Sequence, residues 1–160
     1  MIKLLLYRSV RTEEMAYVVD DIFEKYGNKV ELSILTRPEQ KITMELISSV
    51  KKVYTYSNHI FQYSDKYIDE INILRNCNYD LVIIPTTGNI ESYQNILKFN
   101  KFIFGKVETK FYKYPKTFIG TEKTLLRLIY SNFLKFISVV LTIPLLIIFY
   151  IYTIVSNLFN

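Results

Sequence analysis

One stretch constrains this chain more than any other: residues 136–155 contain no charged side chain and are broken only by Ser138, Thr142, Pro144 and Thr153. As a helix, twenty residues at about 1.5 Å each reach roughly 30 Å, the hydrocarbon thickness of a bilayer. A core helix would show polar residues every three or four positions. Here Leu141, Ile143, Leu145, Leu146, Ile147, Ile148, Phe149 and Ile151 cover every side of the cylinder. The pattern predicts a transmembrane helix over 136–156 with a short tail at 157–160. Pro144, near its middle, implies a kink or a re-entrant hairpin.

Charge is placed to match. Residues 1–100 hold 12 Lys/Arg against 13 Asp/Glu, whereas residues 101–135 hold 8 against 2, so the net +5 belongs to one segment. A basic run directly before an apolar span reads as a membrane-surface element, and nucleic acid is not expected as a partner. The first apolar run, Ile2 with Leu4 to Tyr7, is too short for a signal sequence. Together with the positive-inside rule this predicts a single-pass membrane protein, its N-terminal domain in the cytosol and 121–135 as a basic juxtamembrane segment.

Residues 1–120 alternate between two periodicities. Ile2–Tyr7 reads as a short buried strand. Met15, Val18, Val19, Ile22, Phe23 and Tyr26 then recur at three- and four-residue intervals, predicting a helix capped near Thr12 and stopped by Gly27. Residues 30–35 form a second strand, and Thr36-Arg37-Pro38 turns into a short helix through Leu46 and Ile47. Residues 51–56 are a third strand. Tyr67, Ile68, Ile71 and Leu74 mark the next helix, and residues 81–84 form a continuous apolar run suited to a central parallel strand. Residues 85–89 read as a loop, Tyr93, Ile96 and Leu97 as a last helix, and 102–104 as a fifth strand, while 107–119 fits no single pattern. The alternation predicts an α/β, Rossmann-like parallel sheet of about five strands with helices on both faces.

In such a fold the ligand lies across the carboxyl ends of the strands. That places the candidate binding residues in four loops: Arg8, Ser9 and Arg11; Arg37; His59; and Thr86, Thr87 and Asn89. The arginines suit charge-assisted hydrogen bonds to an anionic group, and the threonines, the asparagine and Gly88 suit a polar or sugar ligand as well as an ordinary turn. His59 alone has an ordinary pKa near neutrality, yet no Ser/His/Asp or Cys/His arrangement can be drawn around it.

Much is excluded. The loop Arg8-Ser9-Val10-Arg11 contains no glycine, which argues against a dinucleotide site or a P-loop. Asp20 and Asp21 fall inside a predicted helix and not at a strand end, against a phosphoacceptor receiver domain. Glu13 and Glu14 read as first-turn carboxylates opposing the helix dipole. Cys77 is the single cysteine, so no internal disulfide or zinc framework is expected, nor any metal or cofactor.

The stretch Asn78-Tyr79-Asp80-Leu81-Val82-Ile83-Ile84-Pro85, followed by Thr86-Thr87-Gly88-Asn89 and Ser92-Tyr93-Gln94-Asn95-Ile96-Leu97-Lys98-Phe99, resembles the fourth strand, loop and helix of the N-terminal half of GT-B glycosyltransferases. With the Thr36-Arg37-Pro38-Glu39 turn and the terminal apolar segment, the chain is similar to small membrane-anchored relatives from bacterial surface-polysaccharide clusters. The resemblance implies a location at a bacterial inner (cytoplasmic) membrane and a half that contributes acceptor contacts, the loops 8–11 and 86–89 occupying acceptor-side positions. It carries over no catalytic residue. Where that family continues into a donor domain, this sequence enters the apolar span. The expectation is therefore a membrane-anchored, acceptor-side half of a split glycosyltransferase, acting on a membrane lipid or lipid-linked sugar with a donor-domain protein partner. The arrangement parallels the two-chain N-acetylglucosaminyl transferase of the eukaryotic dolichol pathway. A noncatalytic membrane scaffold that recruits polysaccharide enzymes is the open alternative.

Overall fold

The computed structural model describes residues 1–58, 60–113 and 115–120, and beyond them residues 130, 133, 134, 137, 138, 140, 142 and 144. The chain divides into two compact units, Met1–Thr121 and Glu122–Asn160.

In the first unit, β1 (Ile2–Tyr7), β2 (Val30–Thr36), β3 (Lys52–Thr55), β4 (Leu81–Thr86), β5 (Glu108–Lys113) and β6 (Thr117–Gly120) form one sheet in the order β3-β2-β1-β4-β5-β6. Every pairing is parallel except the last, where β6 returns antiparallel along β5. The helices are α1 (Thr12–Tyr26), α2 (Lys41–Glu45), α3 (Ile68–Arg75) and α4 (Gln94–Phe104). The α/β, Rossmann-like reading is correct, with six strands in the sheet and not five.

The sheet is buried on both faces because its central strands carry apolar residues at consecutive positions. From β1, Leu4 and Leu6 join Met15, Val18 and Ile22 of α1 and Met44 of α2 in one core. Leu5 and Tyr7 turn the other way, into a second core with Ile71 and Leu74 of α3 and Phe99 and Ile103 of α4. Leu4, Leu5 and Leu6 are all fully buried. Each such leucine contributes about 1.5–3 kcal/mol relative to exposure, which is why the sequence tolerates no polar residue here. α1 follows from spacing, its buried positions Met15, Val18, Val19 and Ile22 repeating on one face, and it ends at Gly27, whose φ of 68° suits glycine.

The N-cap of α1 is Arg11, next to Thr12, where the sequence placed it. Two local expectations need correction. Residues 102–104 are the last turn of α4 and not a strand: Phe99, Asn100 and Ile103 are buried at helical spacing, and Gly105 with φ 64° ends the helix. The strand comes afterwards, at Glu108–Lys113, inside the stretch that fitted no single pattern. Pro85 and Thr86 belong to β4 and not to a loop.

Proline inside a strand needs a reason, since it has no N–H to give the ladder. Pro85 keeps its register with Tyr112 of β5, but β4 pairs with β1 only through Ile83. The Pro85 carbonyl accepts a hydrogen bond from the Ser9 hydroxyl in the loop after β1. In a parallel strand the nitrogen and oxygen of one residue face the same neighbour. The missing N–H therefore faces the side where pairing has already stopped.

In the second unit, Tyr130, Phe133, Leu134, Ile137, Ser138, Val140, Thr142 and Pro144 are helical, and the Thr142 hydroxyl donates to the Ser138 carbonyl at 2.7 Å. Among the described residues no helix is long and apolar enough to cross a membrane, and most of the span expected at 136–156 lies outside them.

Candidate functional site

Chain order makes β1 and β4 the point where the sheet changes direction, β2 and β3 building outward on one side and β5 on the other. A crevice opens at such a point because the two crossovers leave in opposite directions. Here the opening is visible in the register. β1 and β4 pair only at Leu4–Leu81, Leu5–Val82 and Leu6–Ile83, while β1 stays with β2 to Tyr7–Leu35 and β4 stays with β5 to Thr86–Lys113. Past Leu6 and Ile83 the strands part, and the Ser9–Pro85 hydrogen bond bridges the gap.

Two clefts flank that bridge. The first, of about 310 Å³, is lined by Arg8, Ser9, Arg37, Phe61, Tyr93 and Asn95 among others. Arg8 is fixed at both ends: its backbone N–H donates to the Leu35 carbonyl at 2.8 Å, and its Nη2 donates to the Thr12 hydroxyl at 3.2 Å. Thr12 passes the contact on to Gln40 Oε1 at 3.4 Å, in the turn that follows Arg37. Arg8 Nε is buried and has no hydrogen-bond partner among the described residues. Burial first, and then the charge of Arg37, lower the Arg8 pKa from its ordinary value, with Glu13 partly opposing them. The cleft thus holds two mutually repelling cations, one with an unspent donor, a combination that favours an anion.

An aromatic wall stands opposite. Phe61 is buried at 6% exposure with φ 30°, a conformation that costs a bulky residue about 1–3 kcal/mol. Packing holds it there. Its ring lies 5.4 Å from Tyr7, 6.3 Å from Tyr56 and 6.2 Å from Phe99. Its loop is tied down by Ser57, whose N–H and hydroxyl donate to the Glu70 carboxylate at 2.8 and 2.6 Å, and by the Tyr56 hydroxyl, which donates to Gln62 O at 2.6 Å. Tyr93 receives the Thr87 N–H at 3.3 Å, joining the loop after β4 to the start of α4.

The second cleft, of about 490 Å³, lies against α1 and the ends of β4 and β5 and includes Val10, Tyr17, Pro85, Thr86, Thr87 and Tyr112 in its lining. The Thr86 hydroxyl is turned inward to the Tyr112 carbonyl at 3.2 Å. Tyr112 is anchored in turn by its hydroxyl on the Asp21 carboxylate.

Of the sequence candidates, Arg8, Ser9 and Arg37 are brought together in the first cleft, and Thr86 and Thr87 line the second. Arg11 lines neither: its N–H donates to Glu14 Oε2 at 3.1 Å and its carbonyl receives the Glu14 N–H at 3.1 Å, a reciprocal cap at the start of α1. With Glu13 and Glu14 in that first turn, the helix dipole is already opposed by carboxylates. Asn89 lines neither cleft, and its carbonyl receives the Ser92 N–H at 3.1 Å in the turn before α4. His59 lies outside the described residues. Sequence reading did not single out Phe61, Tyr93 or Asn95 as site residues. Tyr93 and Asn95 were within reach, being the residues that open the helix after β4, whereas nothing local marks Phe61. No set of three or more His, Cys, Asp or Glu side chains among the described residues forms a metal-binding group.

No protein family matches the chain, and no curated protein is significantly similar to it.

Proposed function

We propose that this chain is a membrane-anchored, acceptor-side half of a split glycosyltransferase in cell-surface polysaccharide or glycolipid assembly, and that its Arg8–Arg37 cleft grips a phosphate of a lipid-linked acceptor. The observation that carries this reading is the Arg8 guanidinium. It stands at the switch point of the sheet, shares a cleft with Arg37, and keeps Nε without a partner among the described residues. Charge-assisted bonds from guanidiniums are stronger than neutral hydrogen bonds and match the geometry of phosphate oxygens.

The anchor is the apolar segment 136–155 with its basic approach. In the second unit the helical residues Tyr130, Phe133, Leu134 and Val140 expose 47–63% of their surface. Helical apolar side chains left uncovered in this way suit a lipid environment. A donor-binding partner would supply the nucleotide-sugar half. The test is reconstitution: purified chain in nanodiscs, a candidate soluble donor-half protein and a nucleotide sugar. Transfer that requires both chains and is lost with Arg8→Ala supports the reading. Association with a partner whose own activity survives loss of the four loops refutes it in favour of the scaffold.

A further inference from the structure

The two clefts differ in character, and Val10 is a wall of both. One presents Arg8 and Arg37; the other, the larger, is lined by Val10, Tyr17, Val18, Pro85 and Tyr112 and also by Thr87 and Lys113. A group held at the arginines and continuing over Val10 leaves a cationic environment and enters an apolar one. Three polar side chains of that lining are engaged, Glu14 with the Arg11 N–H, Thr86 with the Tyr112 carbonyl and the Tyr112 hydroxyl with Asp21, while Lys113 adds a cation to the same lining. Its surfaces reward burial of hydrocarbon.

We infer that the site takes a phosphate ester of an apolar alcohol, the phosphate at Arg8 and Arg37 and the first carbons of the alcohol in the cleft walled by Tyr17 and Pro85. This rests on the anion reading given above and adds the second half of the ligand. The α1-side cleft would then measure chain length.

The experiment uses the full chain in nanodiscs and calorimetric titration with inorganic phosphate, methyl phosphate and butyl phosphate, all soluble. Each buried methylene is worth about fourfold in affinity, so a cleft open on one side should give about a tenfold gain from methyl to butyl phosphate. Tyr17→Asp, at a position 60% exposed and so compatible with folding, should abolish that gain while methyl phosphate still binds. Equal affinity for methyl and butyl phosphate, or a gain that survives Tyr17→Asp, overturns this inference and leaves the arginine site standing. Failure of inorganic and methyl phosphate to bind at all overturns the arginine site and this inference with it. Dodecyl phosphate in the nanodisc separates the sources: displacement of butyl phosphate supports a membrane-borne ester, and its retention supports a soluble one.

Discussion

The Ser9 hydroxyl donates to the Pro85 carbonyl across the gap where β1 and β4 cease to pair, so one side-chain bond spans the sheet at the point where its central strands part. Ser9→Ala removes that bond and leaves the Pro85 carbonyl without it. A loss of about 1 kcal/mol in urea unfolding is expected, with weaker phosphate binding because Arg8 and Val10 lose their common support. Unchanged binding in a measurably destabilised variant would show that the bridge serves the fold alone.

Alkaline pH should weaken the fold through buried tyrosine. Tyr7 is fully buried, its hydroxyl donating to Asn100 Oδ1 at 3.3 Å, and burial raises its pKa far above the ordinary range; Tyr79 and Tyr56 are raised for the same first reason. An unfolded tyrosine ionises above about pH 10 while native Tyr7 keeps its proton, so the native state binds more protons and stability falls as pH rises past that point. The slope of unfolding free energy against pH should therefore be negative above about pH 10. Tyr7→Phe should make it shallower by about 1.4 kcal/mol per pH unit. Identical slopes for both proteins, from urea midpoints at a series of pH values, would place Tyr7 in contact with solvent.

Removing Phe61 tests what holds the cleft's far wall. Phe61→Ala deletes a ring packed on Tyr7, Tyr56 and Phe99 and should cost about 3 kcal/mol or more. Phe61→Gly loses the same ring and relaxes the backbone at φ 30°, so it should be the more stable of the two by about 1 kcal/mol. Thermal melts of the pair decide it; alanine matching or exceeding glycine would mean the loop does not need that conformation.

Deleting residues 136–160 should release a folded protein into solution, because an apolar segment of this length supplies more membrane affinity than the lysines before it. Residual vesicle binding by the basic segment should fade as salt rises. A truncated chain that stays on vesicles in high salt, or fails to fold, would contradict the division into domain and anchor.

How much of this was legible can be traced to particular residues. The boundaries of β1 are those of its apolar run, and α1 is where its three- and four-residue spacing put it, since both are decided by local burial. Residues 102–104 misled because Phe, Ile and Phe in succession favour a strand in isolation, and only packing against the second core makes them helical. Pro85 read as a loop because its tolerance depends on where β1 stops pairing, which no local pattern contains. The site followed the same division. Arg8, Ser9 and Arg37 could be grouped from topology alone, whereas Arg11, three residues from Arg8, was removed from the group by helix capping. Phe61 reaches the cleft through tertiary packing on Tyr7, far away in sequence.

The most direct test of the central claim is calorimetric titration of inorganic phosphate into the full chain and its arginine variants in nanodiscs. Arg8→Ala and Arg37→Ala should each weaken binding about tenfold or more, the loss of one charge-assisted contact, while Arg11→Ala, outside the cleft, should bind like the parent. Melting temperatures of the Arg8 and Arg37 variants should stay near the parent's, since these partly exposed charges contribute little to folding. Equal losses from Arg11→Ala, or from Lys51→Ala and Lys52→Ala at the β3 edge, would show that only bulk positive charge is being read; undiminished binding in the Arg8 and Arg37 variants would contradict the account outright.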